Sequence, residues 1–102
     1  MTMSAEVAEI TKRMSDAGAV VAGKKIKFDF GADGKIMLDG VANAVTNDDA
    51  DADTTLSVSL ADFLDMASGK LNGMNAFMSG KLKVAGDMGN AMQLQSVMAK
   101  LA

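Results

Sequence analysis

Bond-making chemistry has little to work with in this chain. Histidine and cysteine are both absent, leaving serine, threonine, lysine and the carboxylates, which need a positioned partner before they act as nucleophiles or bases. Asp62 and Asp65 fall on the polar side of a predicted helix and read as solvated charges. The run 47–53 holds four aspartates in seven residues and invites comparison with a calcium loop. Counted from Asp49, however, it lacks the glycine at the sixth position and the acid at the twelfth. It reads as a solvated acidic turn. Gly86-x-x-Gly89 precedes a helix but lacks the further glycine and acidic residue of a dinucleotide fingerprint. The absence of cysteine also removes disulfides and thiolate metal sites. The expectation is a non-enzymatic protein with no cofactor and no metal.

One polar side chain stands apart. Asp87 can cap a helix beginning at Met88, on which Ala91, Leu94, Met98 and Leu101 share a stripe. Met88, Met92 and Gln95 form the adjoining stripe. A broad apolar face with one glutamine and no charge offers a hydrogen bond to a ligand rather than catalysis. A buried amide left unpaired costs about 1–3 kcal/mol. Periodicity alone places Gln95 either on that face or at its watery edge.

The elements that would position these residues follow from pattern. Ser4 can cap a first helix in which Val7, Ile10, Met14, Ala17 and Val21 recur at three- and four-residue steps, with Gly23 as its end and Gly18 a weak point inside. Ile26, Phe28 and Phe30 alternate with Lys25, Lys27 and Asp29, as in a half-wet strand. Gly31 to Gly34 supplies a hairpin turn, and Lys35 to Asp39 returns with Ile36 and Leu38 on one face. A short third strand is expected over Val41 to Thr46 and a fourth over Thr54 to Ser59, where Leu56 and Val58 face one side. Ser59 caps a helix carrying Leu60, Phe63, Leu64 and Ala67, which Gly69 ends. Asn72 opens a shorter helix with Met74, Phe77 and Met78, which Gly80 ends. Lys81 to Val84 is the last strand, broken by Gly86. Hairpin connections favour a mainly antiparallel sheet with helices on one face, an α+β fold.

The stretch from Phe77 to Gln95 resembles the sterol carrier protein type 2 family of small lipid-binding domains. The shared pattern is Phe77, then Gly80 to Lys83 (Gly-Lys-Leu-Lys), Val84, Gly86, Met88-Gly89, Ala91-Met92 and Leu94-Gln95, in the family's order and spacing. A looser likeness extends through Leu60 to Leu71. The resemblance implies a five-stranded α+β sheet with an apolar tunnel between sheet and helices, and a glutamine at the position of Gln95 facing into the tunnel as a polar anchor. The inward sheet residues Ile26, Phe28, Phe30, Leu56 and Val58 would line it from one side. Phe77, Leu82, Val84, Met88, Met92, Gln95 and Met98 would line it towards the C-terminal helix.

Composition fits that expectation. The 102 residues, without proline or an evident linker, read as one domain. Net charge is −3, from 13 acids and 10 bases, a poor match for nucleic acid as the main partner. Ten methionines against four phenylalanines suit surfaces that accept variable apolar shapes, or an irregular core. No apolar run reaches the ~18 residues of a membrane span, and the N-terminus lacks the plan of a signal peptide. The ending Lys100-Leu101-Ala102 is not a peroxisomal address, so cytoplasm is expected. Lys25 with Lys27, and Lys81 with Lys83, would share wet strand faces. Were the two strands neighbours, these lysines would make a basic patch for transient contact with anionic membranes, or serve solubility alone. The reading is a carrier of a sterol, fatty acyl or similar chain. The alternatives are an interaction module using the apolar helix face, or an accessory domain presenting a lipid-like substrate to a separate enzyme.

Overall fold

The computed structural model describes residues 5–98, with side chains for residues 5–93. The Ser4 cap, Leu101, and the side chains of Leu94, Gln95 and Met98 lie outside the described residues. Helix α1 (Ala5–Ala17) buries Val7, Ile10 and Met14. It stops at Ala17, short of the expected Gly23. Gly18 adopts φ 65°, a left-handed conformation that costs a glycine little. The amides of Gly18 and Ala19 then close on the carbonyls of Ser15 and Met14 at 3.1 and 2.9 Å, capping the helix. The same closure ends α2 (Leu60–Ala67) at Gly69 and α3 (Gly73–Met78) at Gly80, where sequence had placed the stops. Ser59, Asn72 and Asp87 cap α2, α3 and α4 (Met88–Met98) through amides of Asp62, Met74 and Gly89.

Strands β1 (Lys25–Asp29), β2 (Lys35–Asp39), β3 (Ala44–Thr46), β4 (Thr54–Val58) and β5 (Leu82–Gly86) form one sheet in the order β3-β2-β1-β4-β5. Three pairings are antiparallel and β1–β4 is parallel. β3 is shorter than expected because residues 40–43 form a turn. Asp39 Oδ1 accepts from the amides of Val41 and Ala42 at 3.0 and 2.9 Å, and Asn43 takes φ 55°. Register sets Ile26 beside Leu38, Phe28 beside Ile36 and Leu56, and Leu56 beside Val84, all on one face. Against that face pack Val7, Ile10 and Met14 of α1, Phe63 of α2 and Ala91 of α4. α3 leans on β5.

The opposite face corrects two expectations. β4 separates β1 from β5, so Lys25 and Lys27 are not neighbours of Lys81 and Lys83. The β3–β4 connection must pass over β2 and β1, and it does so on this outer face. Lys27 Nζ donates to Asp49 Oδ1 at 2.8 Å and to the Ala50 carbonyl at 3.1 Å. Asp53 Oδ2 accepts the Lys25 amide at 2.8 Å. The acidic turn is thus partly engaged rather than simply solvated, and Lys27 of β1 with Lys35 of β2 answers the charge of Asp49.

Asp39 and Asp49 consequently titrate below the ordinary 3.8. For Asp39 the main cause is the Ala42 amide, with the Val41 amide and the Lys25 charge assisting; for Asp49 it is the hydrogen bond from Lys27. A depressed folded-state value means that the unfolded chain protonates first. The stabilisation is therefore whole above 3.8 and disappears as pH falls through the lower folded values. Chemical denaturation across this acid range should show a shallower stability loss in Asp39→Asn and Asp49→Asn than in wild type. For Asp49 the difference should shrink in high salt. Identical slopes in all three proteins would rule these carboxylates out as the acid-sensitive groups.

Candidate functional site

Phe63 is the hinge between core and cleft. Ser59 starts α2, and the Phe63 amide donates to the Ser59 carbonyl at 2.9 Å, turning the ring towards the sheet. The ring centroid sits 5.1 Å from Phe28 and 5.2 Å from Phe30, edge to face with both, while Phe28 and Phe30 stack at 5.8 Å. Such edge-on pairs contribute roughly 0.5–1.5 kcal/mol each beyond their buried area. Above this cluster, between α1 and α2, lies a cleft of about 490 Å³. Ile10, Phe63, Leu64 and Ala67 make its apolar wall, and Arg13 and Lys70 bring cationic groups to it, alongside Asp65 and Ser68. Its size lies within the ~300–1,000 Å³ usual for small-molecule sites.

The structure sorts the residues expected to line a tunnel into two sets. Ile26, Phe28, Phe30, Leu56 and Val58 sit together on the inner sheet face, sealed beneath the helices. Leu82 and Val84 continue that face, half-buried on β5. Phe77, Met88 and Met92 stand exposed on α3 and α4. The Gln95 and Met98 side chains lie outside the described residues.

Ile10, Phe63 and Leu64 were recognised in the sequence only as members of apolar stripes. Pairing α1 with α2 is what makes them a cleft, and no local signal announces that pairing. A buried polar contact was also missed. Asn90 Nδ2 donates to Thr54 Oγ1 at 3.2 Å, and that hydroxyl donates to the Asp87 carbonyl at 2.8 Å. The contact pins the start of α4 to β4, with Thr54 and Asn90 both buried.

Residues 6–99 match the model of the SCP-2 sterol transfer family. The chain belongs to that family. Human sterol carrier protein 2 is 42% identical over 61 residues, which is 60% of this chain and 11% of that protein. The SCP-2 chain described here therefore spans about a tenth of the length of this curated relative. A solution structure of sterol carrier protein 2 from Aedes aegypti, in complex with the C16 fatty acid palmitate, superposes with a TM-score of 0.77. It is 18% identical and covers 98% of this chain and 100% of that one. Palmitated SCP2L2 from the same mosquito reaches 0.65 at 27% identity, covering 95% and 96%. The SCP-2 fold, with its five-stranded sheet and four helices, is therefore shared. Among the described residues, no helix is long and apolar enough to cross a membrane.

Proposed function

We propose that this SCP-2 domain is a non-enzymatic carrier that holds one fatty acyl or similarly shaped apolar chain. The observation that carries this reading is the cleft between α1 and α2, walled by Ile10, Phe63 and Leu64 with Arg13 and Lys70 at hand. An apolar wall beside Arg13 and Lys70, which outnumber the Asp65 carboxylate in the same lining, is complementary to a hydrocarbon chain ending in a carboxylate. The two palmitate-carrying relatives support the same ligand class. To extend from the cleft over the inner sheet face of Ile26, Phe28, Phe30, Leu56 and Val58, the bound chain must part the helices that seal it. Leu82, Val84, Met88, Met92 and Met98 form the far wall, with Phe77 at its margin and Gln95 as a polar anchor.

Titration of the purified, delipidated chain with palmitate, followed by native mass spectrometry and calorimetry, tests the reading. Wild type should bind one equivalent. Leu64 is partly exposed on α2, so Leu64→Asp should change stability by no more than about 0.5 kcal/mol. It places a charge in the apolar wall and should weaken binding by at least about tenfold. In the same titration Gln95→Leu reports which end holds the head group: a loss of roughly 0.5–1.5 kcal/mol for palmitate, with none for a probe without a head group, would place the carboxylate at Gln95 instead of at Arg13 and Lys70. Failure of wild type to take up palmitate or any acyl chain would overturn the carrier. Uptake unaffected by Leu64→Asp would move the ligand out of this cleft.

A further inference from the structure

We infer that the open β5 edge of the sheet joins two copies of this chain into a symmetric dimer. β5 ends the sheet, with β4 on one side only. The Asp87 amide donates to the Asp53 carbonyl at 3.3 Å, one residue beyond the Thr54–Gly86 partners. In an antiparallel ladder that bond marks Thr54–Gly86 as a pair that exchanges no hydrogen bonds of its own. Alternation puts Leu56–Val84 and Val58–Leu82 in the same state. The N–H and C=O groups of Leu82, Val84 and Gly86 therefore point away from β4, to the free edge. Among the described residues, no backbone group outside the sheet bonds to them. The opposite edge is better closed. β3 is three residues long and packs beside α1, and Asn47 next to it donates to Thr11 Oγ1 at 2.9 Å.

Charge names a second copy as the occupant. Exposed Lys81 precedes β5 and exposed Asp87 follows it. A two-fold axis at Val84 runs the two strands antiparallel, with Leu82 opposite Gly86 and Lys83 opposite the small Ala85. It sets Lys81 of each copy against Asp87 of the other. Among the described residues, neither Lys81 nor Lys83 is ion-paired. Asp87 Oδ1 accepts the Gly89 amide at 2.8 Å, which leaves Oδ2 for a cation. Moving the axis to Lys83 would face lysine with lysine. Moving it to Ala85 would run Leu82 past the strand end, opposite Met88. An unrelated strand meets the edge lysines without a matching acid, and lysine on an edge discourages such pairing. The edge thus selects itself.

The apolar surface around β5 suits the same joint. α3 and α4 both pack on β5. Met74, Phe77 and Met78 of α3 are 59%, 39% and 77% exposed, and Met88 and Met92 of α4 are 44% and 67% exposed. A two-fold axis perpendicular to the sheet keeps both inner faces on one side, so α3 and α4 of each copy approach those of the other. Flexible methionines repack readily at such a contact. The backbone ladder supplies direction, the ion pairs supply register and the methionines supply apolar area. The dimer stands on the sheet edge and does not depend on the carrier reading.

Light scattering and sedimentation of the full chain test this. The mass should move from one chain to two as concentration rises through the micromolar range. Val84→Pro removes the amide at the axis, which the fold itself does not use, and should weaken dimerisation by at least about tenfold. Lys81→Glu and Asp87→Lys each bring like charges together at the joint and should each weaken it by about tenfold. Mixed in equal amounts, these two charge variants should dimerise again, because each supplies the charge that the other lacks. Circular dichroism checks that every variant is folded, and the charge pair decides alone where Val84→Pro is not. Lys24→Glu, at an exposed lysine outside β5, should dimerise as wild type does. A single-chain mass at every concentration would overturn the proposal. So would a dimer that the charge variants leave intact, or a mixture of the two that stays monomeric.

Discussion

Gly40→Ala is expected to destabilise the fold by at least about 4 kcal/mol, the range reserved for mutations that break a specific structural requirement. A Cβ at Gly40 would stand 1.8 Å from the Val21 carbonyl oxygen and 2.7 Å from that of Lys24. These neighbours are backbone and cannot swing aside. The Lys24 carbonyl is also bonded to Gly40 itself, accepting its amide at 2.8 Å, and the Gly40 carbonyl accepts the Gly23 amide at 3.0 Å. Separating the strands of this corner to admit a methyl group breaks both bonds. Against a total stability of roughly 5–15 kcal/mol, such a loss leaves little folded protein at 37 °C. Gly18→Ala is the comparison. It meets nothing within 4 Å but must adopt φ 65°, at about 1–2 kcal/mol. Urea denaturation of both variants decides the matter. A Gly40→Ala midpoint no lower than that of Gly18→Ala would show that the corner can relax. The corner also bears on the proposed cleft. Residues 18–24 join α1 to β1, so it fixes the angle at which Ile10 and Arg13 overhang the cleft.

Much of this arrangement was legible in the sequence because it is local. Ser59, Asn72 and Asp87 cap helices, and Gly69 and Gly80 end them, through contacts spanning a few residues. The alternation of Ile26 and Phe28 with lysines named the inner sheet face. What was not legible depends on which element covers which. Lys27 reads as a wet lysine, yet its partner Asp49 is 22 residues away and arrives only because the β3–β4 connection crosses the outer face. α1 was expected to run to Gly23 because Val21 keeps the helical period, but Val21 is buried from the turn that follows Gly18. The α4 stripe shows the limit most clearly. Periodicity groups Met88 with Met92, and both are exposed; Asn90 and Ala91 turn inward instead, because Thr54 offers Asn90 a buried partner. An apolar stripe says that a surface avoids water or awaits a ligand, and it does not say which.

Phe63→Ala is expected to separate those two roles within one residue. Phe63 is 1% exposed and touches both other rings of the core aromatic cluster. Truncation removes two edge-to-face contacts and leaves a ring-sized void, a loss of about 3–5 kcal/mol. Phe77→Ala removes the same atoms from a ring that is 39% exposed and should cost no more than about 2 kcal/mol. Palmitate then tests the second role. A ligand present at a hundredfold excess over its dissociation constant stabilises the native state by about 2.7 kcal/mol, and wild type should gain that much. If Phe63 floors the cleft, Phe63→Ala should gain at least about 1.4 kcal/mol less at the same palmitate concentration, equivalent to a tenfold weaker site. Phe63→Leu, which retains most of the apolar volume, should lie between them on both measures. A stability loss under 1 kcal/mol would remove Phe63 from the core. A full stability loss with an undiminished palmitate gain would leave Phe63 as core alone and place the acyl chain elsewhere along the inner face.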